Sequence, residues 1–104
     1  MSKIGSKTVT KADIVNRVSN ATGLTKVETE IVINGIMNTI TSALENDRRV
    51  ELRGFGTFGA KKRDPRKARN PGTGETVYLP ERYVPTFKPS ALLRKNVNKA
   101  LTEK

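Results

Sequence analysis

A chain of 104 residues is the length of one domain, and its 20 Lys and Arg residues against 10 Asp and Glu give a net charge of +10. This excess favours a nucleic-acid partner, or less often an anionic membrane surface. The absence of cysteine excludes disulfides and thiolate metal sites, the absence of histidine removes the commonest general base, and no apolar run is long enough to cross a bilayer.

The chain begins with a basic segment and a short helix. Residues 1–8 show no periodicity, which predicts a flexible basic tail before a domain at residues 9–104. Thr10 and Asp13 have the spacing of a capping box, and Gly23 suits the left-handed residue that ends a helix. One apolar face is formed between them by Ile14, Val15, Val18 and Ala21.

A second capping box, Thr25 with Glu28, opens a longer helix that we expect to reach about Asn46. Its apolar residues cover more of the circumference than a single core-facing stripe. They are Val27, Ile31, Val32, Ile33, Ile36, Met37, Ile40, Ala43 and Leu44. Because a chain this small builds a thin core, we expect the helix to pack against its copy in a second subunit. The alternative is a monomer whose third helix covers the other face.

Strand patterns follow the second helix. Residues 48–53 alternate, with Val50 and Leu52 predicted to face inward, and Gly54-Phe55-Gly56 predicts a tight turn. A second strand begins at Thr57, and residues 82–88 predict its return, with Pro85 at an edge or a bulge.

The remaining aromatic and capping residues complete this body. Phe55, Phe58 and Phe87 are expected to pack in a core or interface and not to stack on bases. Ser90 is expected to cap a last helix through about Leu101. The apolar stripe of that helix is Leu93, Val97 and Ala100.

Residues 60–81, here called the arm, are dominated by positive charge. The run Lys61-Lys62-Arg63-Asp64-Pro65-Arg66-Lys67-Ala68-Arg69 leads into Asn70-Pro71-Gly72-Thr73-Gly74, whose residue types favour a reversal, and residues 76–79 suit a returning strand. A two-stranded ribbon without a hydrophobic face is marginally stable alone. We therefore expect the arm to project and to order on a polyanion; a solvated loop is the alternative.

Three motifs make a family resemblance specific. They are Gly54-Phe55-Gly56-Thr57-Phe58, Arg69-Asn70-Pro71-Gly72-Thr73-Gly74-Glu75 and Phe87-Lys88-Pro89. Over residues 9–101 the sequence resembles the HU and integration host factor family of bacterial DNA-bending proteins. The resemblance implies an α+β fold: an intertwined dimer with a helical body and a three-stranded antiparallel sheet per subunit, extended into a long β-ribbon arm. It also implies that two such arms wrap duplex DNA through the minor groove.

On this resemblance Pro71 is the wedge inserted between base pairs, with Arg69 and Asn70 beside it reaching minor-groove acceptors. Gly72 and Gly74 are expected to serve the geometry of the turn and not to contact DNA, since glycine permits positive φ. The predicted phosphate contacts of the arm are Lys61, Lys62, Arg63, Arg66 and Lys67. The predicted contacts of the body are Lys11, Arg53, Gly54, Gly56, Arg82, Lys88 and Arg94.

The chain also departs from the family pattern. Ser90-Ala91 stands where many relatives carry Gly-Lys, so one phosphate-binding cation is lost there, for which Lys88 or Arg94 could compensate. Asp64 and Glu81 place negative charge in the arm.

The sequence therefore predicts a nucleoid-associated architectural protein of the cytoplasm that binds double-stranded DNA with low sequence specificity and bends it. It predicts no enzyme activity, cofactor, metal, small-molecule substrate or membrane partner. A homodimer is expected, with a heterodimer between paralogues as the alternative. The competing functions are a site-specific bending factor of the integration-host type and a small basic RNA-binding protein.

Overall fold

A computed structural model describes residues 8–103; most of the predicted N-terminal tail, residues 1–7, lies outside them. The fold is α+β, as predicted. The described elements are, in chain order, α1 (Lys11–Thr22), α2 (Lys26–Glu45), β1 (Val50–Leu52), β2 (Gly56–Arg63), β3 (Arg66–Arg69), β4 (Thr76–Leu79), β5 (Arg82–Pro89) and α3 (Ala91–Thr102). The chain divides into two compact units, and the boundary between them follows Thr41 inside α2.

Both capping boxes at the helix starts are confirmed. At α1, Asp13 N donates to Thr10 Oγ1 over 3.3 Å, and Thr10 N donates back to the Asp13 carboxylate over 3.0 Å. Gly23 follows α1 with a φ of 81° and donates its N–H to Ser19 O, as a left-handed C-terminal residue should. These local hydrogen bonds explain where α1 begins and ends.

Thr25 and Glu28 repeat the arrangement at the start of α2, with distances of 2.9 and 3.0 Å. Hydrogen bonding to Thr25, chiefly to its N–H and to a lesser extent to its hydroxyl, holds the pKa of the Glu28 carboxyl below its usual range. Thr29, one turn into the helix, is only 1% exposed and donates its hydroxyl to Thr25 O over 2.8 Å. The N-terminus of α2 is therefore fixed by polar contacts as much as by apolar packing.

The wide apolar surface of α2 is left uncovered by a single chain. Val27 is 69% exposed and Ile31 is 65% exposed, and Val32, Ile36 and Met37 are exposed as well. Contiguous exposed apolar residues on this scale are typical of an interaction surface.

β1, β2 and β5 form an antiparallel sheet in the order β1-β2-β5. β5 lies at the edge of the sheet, so no strand on its outer side requires a hydrogen bond from Pro85. The predicted edge position of Pro85 is therefore confirmed. Val50 is half-buried, but Leu52, also predicted to face inward, is exposed because it ends a short edge strand. The three phenylalanine rings pack on one another, since the Phe87 ring lies 5.3 Å from Phe55 and 4.7 Å from Phe58 between centroids. Phe55 and Phe87 are nevertheless exposed in the single chain, so their place in a core or interface stays a prediction.

Gly56 is required by packing in this sheet. A Cβ at this position would lie 2.5 Å from the Phe87 ring and 2.7 Å from Lys88 O, closer than real Cβ contacts allow. Gly54, in the preceding turn, has a φ of 82°, and Phe55 N closes the turn on Leu52 O at 2.9 Å.

Ser90 begins α3 as predicted, with Leu93 N donating to its hydroxyl over 3.0 Å. Ser90 N also donates to Phe55 O over 2.8 Å, which ties the start of α3 to the turn before β2. The serine at this departure from the family pattern thus has a structural function of its own.

Candidate nucleic-acid interface

The arm consists of two antiparallel ladders in series. The β2–β5 ladder ends at the pair Arg63↔Arg82, and the β3–β4 ladder runs from Arg66↔Leu79 to Arg69↔Thr76. Pro65 and Pro80 lie between the ladders, one on each strand, and neither has an N–H to donate across. The two prolines therefore explain why the pairing stops and restarts within the arm.

The tip of the arm is a turn closed by its own hydrogen bonds. Asn70 N donates to Glu75 O over 2.8 Å, and Gly74 N donates to Asn70 O over 2.7 Å. Both glycines lie in the tip, as predicted, and Gly72 is part of the turn itself; Gly74 has a positive φ of 77°, whereas Gly72 does not have a positive φ. Gly72 N instead donates to the side-chain oxygen of Asn70 over 2.9 Å. Pro71 is exposed at the tip.

The register of the three-stranded sheet sorts the predicted DNA contacts by face. Successive strand residues point to opposite faces, and residues paired across strands share one. The pairs Thr57↔Lys88, Lys61↔Val84 and Arg63↔Arg82 therefore place four predicted contacts together. We call this surface the cationic face; its basic residues are Lys61, Arg63, Arg82 and Lys88.

Lys62 lies on the opposite face, in register with Tyr83 and on the side of Phe58 and Phe87. Its ammonium group forms a 3.0 Å ion pair with Glu81. The sequence placed Lys61 and Lys62 together as phosphate contacts, whereas the structure separates them across the sheet.

A second ion pair joins Lys11 of α1 to Glu30 over 3.9 Å. Both groups are about half exposed, and ion pairs in such positions contribute little to stability. The pair would thus be readily exchanged for a phosphate, and Lys11 stays a predicted contact.

Positive charge is concentrated at the end of the β2–β5 ladder, at the pair Arg63↔Arg82. Arg63 and Arg82 are directly opposite in the last pair of the β2–β5 ladder, an arrangement that is unfavourable for like charges. Among residues 8–103, Arg82 Nη1 is buried without a hydrogen-bond partner. An anion bound beside this pair would offset the repulsion between the two guanidinium groups.

The β3–β4 ladder, which leads to the tip of the arm, also has two chemically different faces. Register places Lys67 and Arg69 with Thr76 and Tyr78, and it places Arg66 and Ala68 with Val77 and Leu79. Tyr78 is 64% exposed and directly opposite Lys67. The sequence predicted Tyr78 only as part of a strand, because the face that it shares with Lys67 depends on the register between residues 66–69 and 76–79.

The predicted body contacts differ in how accessible they are. Gly56 is buried in the central strand, and its close approach to Phe87 accounts for the glycine, so it is poorly placed to meet a ligand. Arg53 and Gly54 are exposed in the turn before β2, and Arg94 is exposed in the first turn of α3.

The described part of the chain holds no cluster of three or more acidic, His or Cys residues that could bind a metal ion. None of its helices combines the length and apolarity of a membrane span.

An α+β chain whose basic residues gather on one sheet face and along a β-ribbon belongs to the class of β-ribbon nucleic-acid-binding proteins. The comparisons with known proteins specify this class. The sequence model of the family described as "Bacterial DNA-binding protein" matches residues 9–98. The chain therefore belongs to this family, which includes HU and the integration host factor subunits and is a DNA-binding family.

Individual relatives cover most of the chain. DNA-binding protein HU of Thermus thermophilus is 42% identical over 93 residues, which span 89% of this chain and 96% of the relative. Integration host factor subunit beta of Vibrio atlanticus is 42% identical over 94 residues, spanning 89% of this chain and all of the relative.

Solved structures show the same fold. The chain is similar to Anabaena HU in a cocrystal with DNA, with a TM-score of 0.78 and 33% identity over 85% of this chain and 96% of that one. HU from Thermotoga maritima matches with a TM-score of 0.61 and 26% identity over 85% of this chain and 97% of that one.

Proposed function

We propose that this protein is a nucleoid-associated architectural factor that binds duplex DNA through the minor groove, reads little base sequence and bends the duplex by inserting Pro71 between base pairs. One observation carries the proposal: an exposed proline stands at the tip of a closed turn, at the end of a ribbon of cations. The HU–DNA cocrystal, whose protein shares this fold, supports duplex DNA as the ligand.

The chemistry of Pro71 suits a wedge. Its ring is compact and apolar, its φ is fixed, and it has no N–H that insertion into a base step would leave unpaired. Separating and bending a base step costs a few kcal/mol, and contacts elsewhere must offset that cost.

The cations of the arm and the cationic face are suited to supply those contacts. Each phosphate neutralised by Lys or Arg releases condensed counterions, so binding is favoured and becomes dependent on salt. Arg69, two residues before Pro71, and Lys67 share a ribbon face with Tyr78. Because the minor groove barely distinguishes A·T from T·A or G·C from C·G, contacts of this kind give affinity with little sequence preference.

A dimer is part of the proposal. The exposed apolar residues of α2 require cover in water, and a second copy offers the same surface in return. Two subunits would supply two arms to one duplex. Sedimentation equilibrium of the purified chain tests this point, and a stable monomer at micromolar concentration would contradict it.

Replacing Pro71 tests the wedge directly. We expect Pro71→Ala to keep much of the affinity but to bend DNA less, measured as end-to-end energy transfer on a doubly labelled duplex at saturating protein. Pro80→Ala, in the same arm but away from the tip, is the matched control. Unchanged bending by Pro71→Ala would remove the wedge role.

A second candidate is a site-specific bending factor, since the 42% identity to an integration host factor subunit equals the identity to the HU relative. Such a protein would select its site through the deformability of the DNA sequence. Affinities for random duplexes and for duplexes enriched by selection would separate the two functions. Equal affinity for duplex RNA in the same competition would contradict both.

A further inference from the structure

Asn70 takes part in more of the tip's hydrogen bonds than any other described tip residue. Its backbone N–H and carbonyl pair with Glu75 O and Gly74 N, and its side-chain oxygen accepts from Gly72 N over 2.9 Å. Because the Gly72 N–H is a donor, the amide atom facing it must be the oxygen. The resulting Asx turn encloses Pro71 between the two residues that it joins.

The same contacts pair several of the backbone donors beside the proline. Gly72 N and Gly74 N are both taken by Asn70, and Glu75 N donates to Thr73 Oγ1 over 3.2 Å. Pro71 itself has no N–H. A donor stripped of water and left unpaired costs free energy, so a tip that enters a base step benefits from each amide that is already paired.

We propose that Asn70 is a positioning residue for Pro71. Its side-chain oxygen closes the turn in the free protein and presents the proline ring outward, with the Gly72 amide already paired, before DNA arrives. This assignment rests on the proposed wedge function of Pro71. It goes beyond the sequence-based expectation that Asn70 serves to reach minor-groove acceptors: the oxygen is engaged within the tip, and the amide nitrogen, which is the donor for such acceptors, remains for the groove.

The first test uses the free protein. Loss of a hydrogen bond worth about 1 kcal/mol should speed exchange of the Gly72 amide with water roughly fivefold in Asn70→Ala, measured by solvent-exchange NMR. Asn70→Asp keeps an acceptor oxygen in the same place and should preserve the slow exchange. Thr73→Ala is the control, since it removes the acceptor of Glu75 N but not that of Gly72 N. Equal exchange in the wild type and Asn70→Ala would overturn the proposal.

The second test measures bending at saturating protein, where changes in affinity do not contribute. Asn70→Ala should reduce energy transfer across the labelled duplex, and Asn70→Asp should restore it, although its added negative charge weakens binding. If Asn70 instead contacts the groove directly through its amide nitrogen, both variants should lose bending equally. That result would overturn the positioning role. Failure of the wedge itself is separately recognisable, because Pro71→Ala would then leave bending unchanged whatever the exchange rate of Gly72.

Discussion

Lys61 and Lys62 are neighbours in sequence but lie on opposite faces of the sheet, so they should contribute differently to DNA binding. Lys61 belongs to the cationic face, whereas Lys62 is paired with Glu81 at 3.0 Å. Each phosphate contact contributes about 0.9 to the slope of log K against log salt. If both subunits of a dimer use Lys61, Lys61→Gln should lower the slope by about 1.8. Between 50 and 200 mM salt the wild type should then lose roughly tenfold more affinity than Lys61→Gln loses.

The assay is a titration of a labelled duplex across this range of ionic strength. Lys62→Gln removes the same charge and is the matched single variant. Lys62→Gln combined with Glu81→Gln keeps the net charge and removes the ion pair, so its slope should equal that of the wild type. Equal slope reductions for the two single variants, together with a reduced slope for the double variant, would refute the assignment of faces.

Three further outcomes are expected. Gly56→Ala should destabilise the fold by about 1–3 kcal/mol in urea unfolding, because its Cβ overlaps the Phe87 ring. Gly59→Ala is the control and should cost much less, since a Cβ there meets its nearest neighbour at 3.6 Å. Equal costs for the two variants would contradict the packing. Ile31→Asp should shift the sedimentation equilibrium to monomer, since it places a charge in the proposed interface, and an intact dimer would exclude α2 from that interface. The lowered pKa of Glu28 stabilises the folded state above the ordinary pKa of glutamate, and this contribution is lost as the pH falls through the folded-state value. Glu28→Gln should therefore reduce the acid dependence of the melting temperature, and an unchanged profile would exclude Glu28 as a contributor.

Features fixed by neighbours along the chain were predictable from the sequence. Thr10, Thr25 and Ser90 cap helices as expected, because a cap joins residues three positions apart and needs no distant partner. Gly23 ends α1 for the same reason. The Asx turn at Asn70 is equally local, although the residue types of the tip predicted a reversal and not the hydrogen bond from Gly72 N to the Asn70 side chain.

Features that depend on register required the tertiary structure. The sequence by itself determined that the arm is cationic, that it reverses around Pro71 and that the long helix has more apolar surface than one chain covers. Only strand pairing decided that Lys61 and Lys62 separate, that Arg63 faces Arg82, and that Gly56 leaves space for a Phe87 ring 31 positions away. The physical reason is that side chains alternate along a strand, so a shift of one residue in pairing would exchange the two faces, and no local pattern fixes that shift.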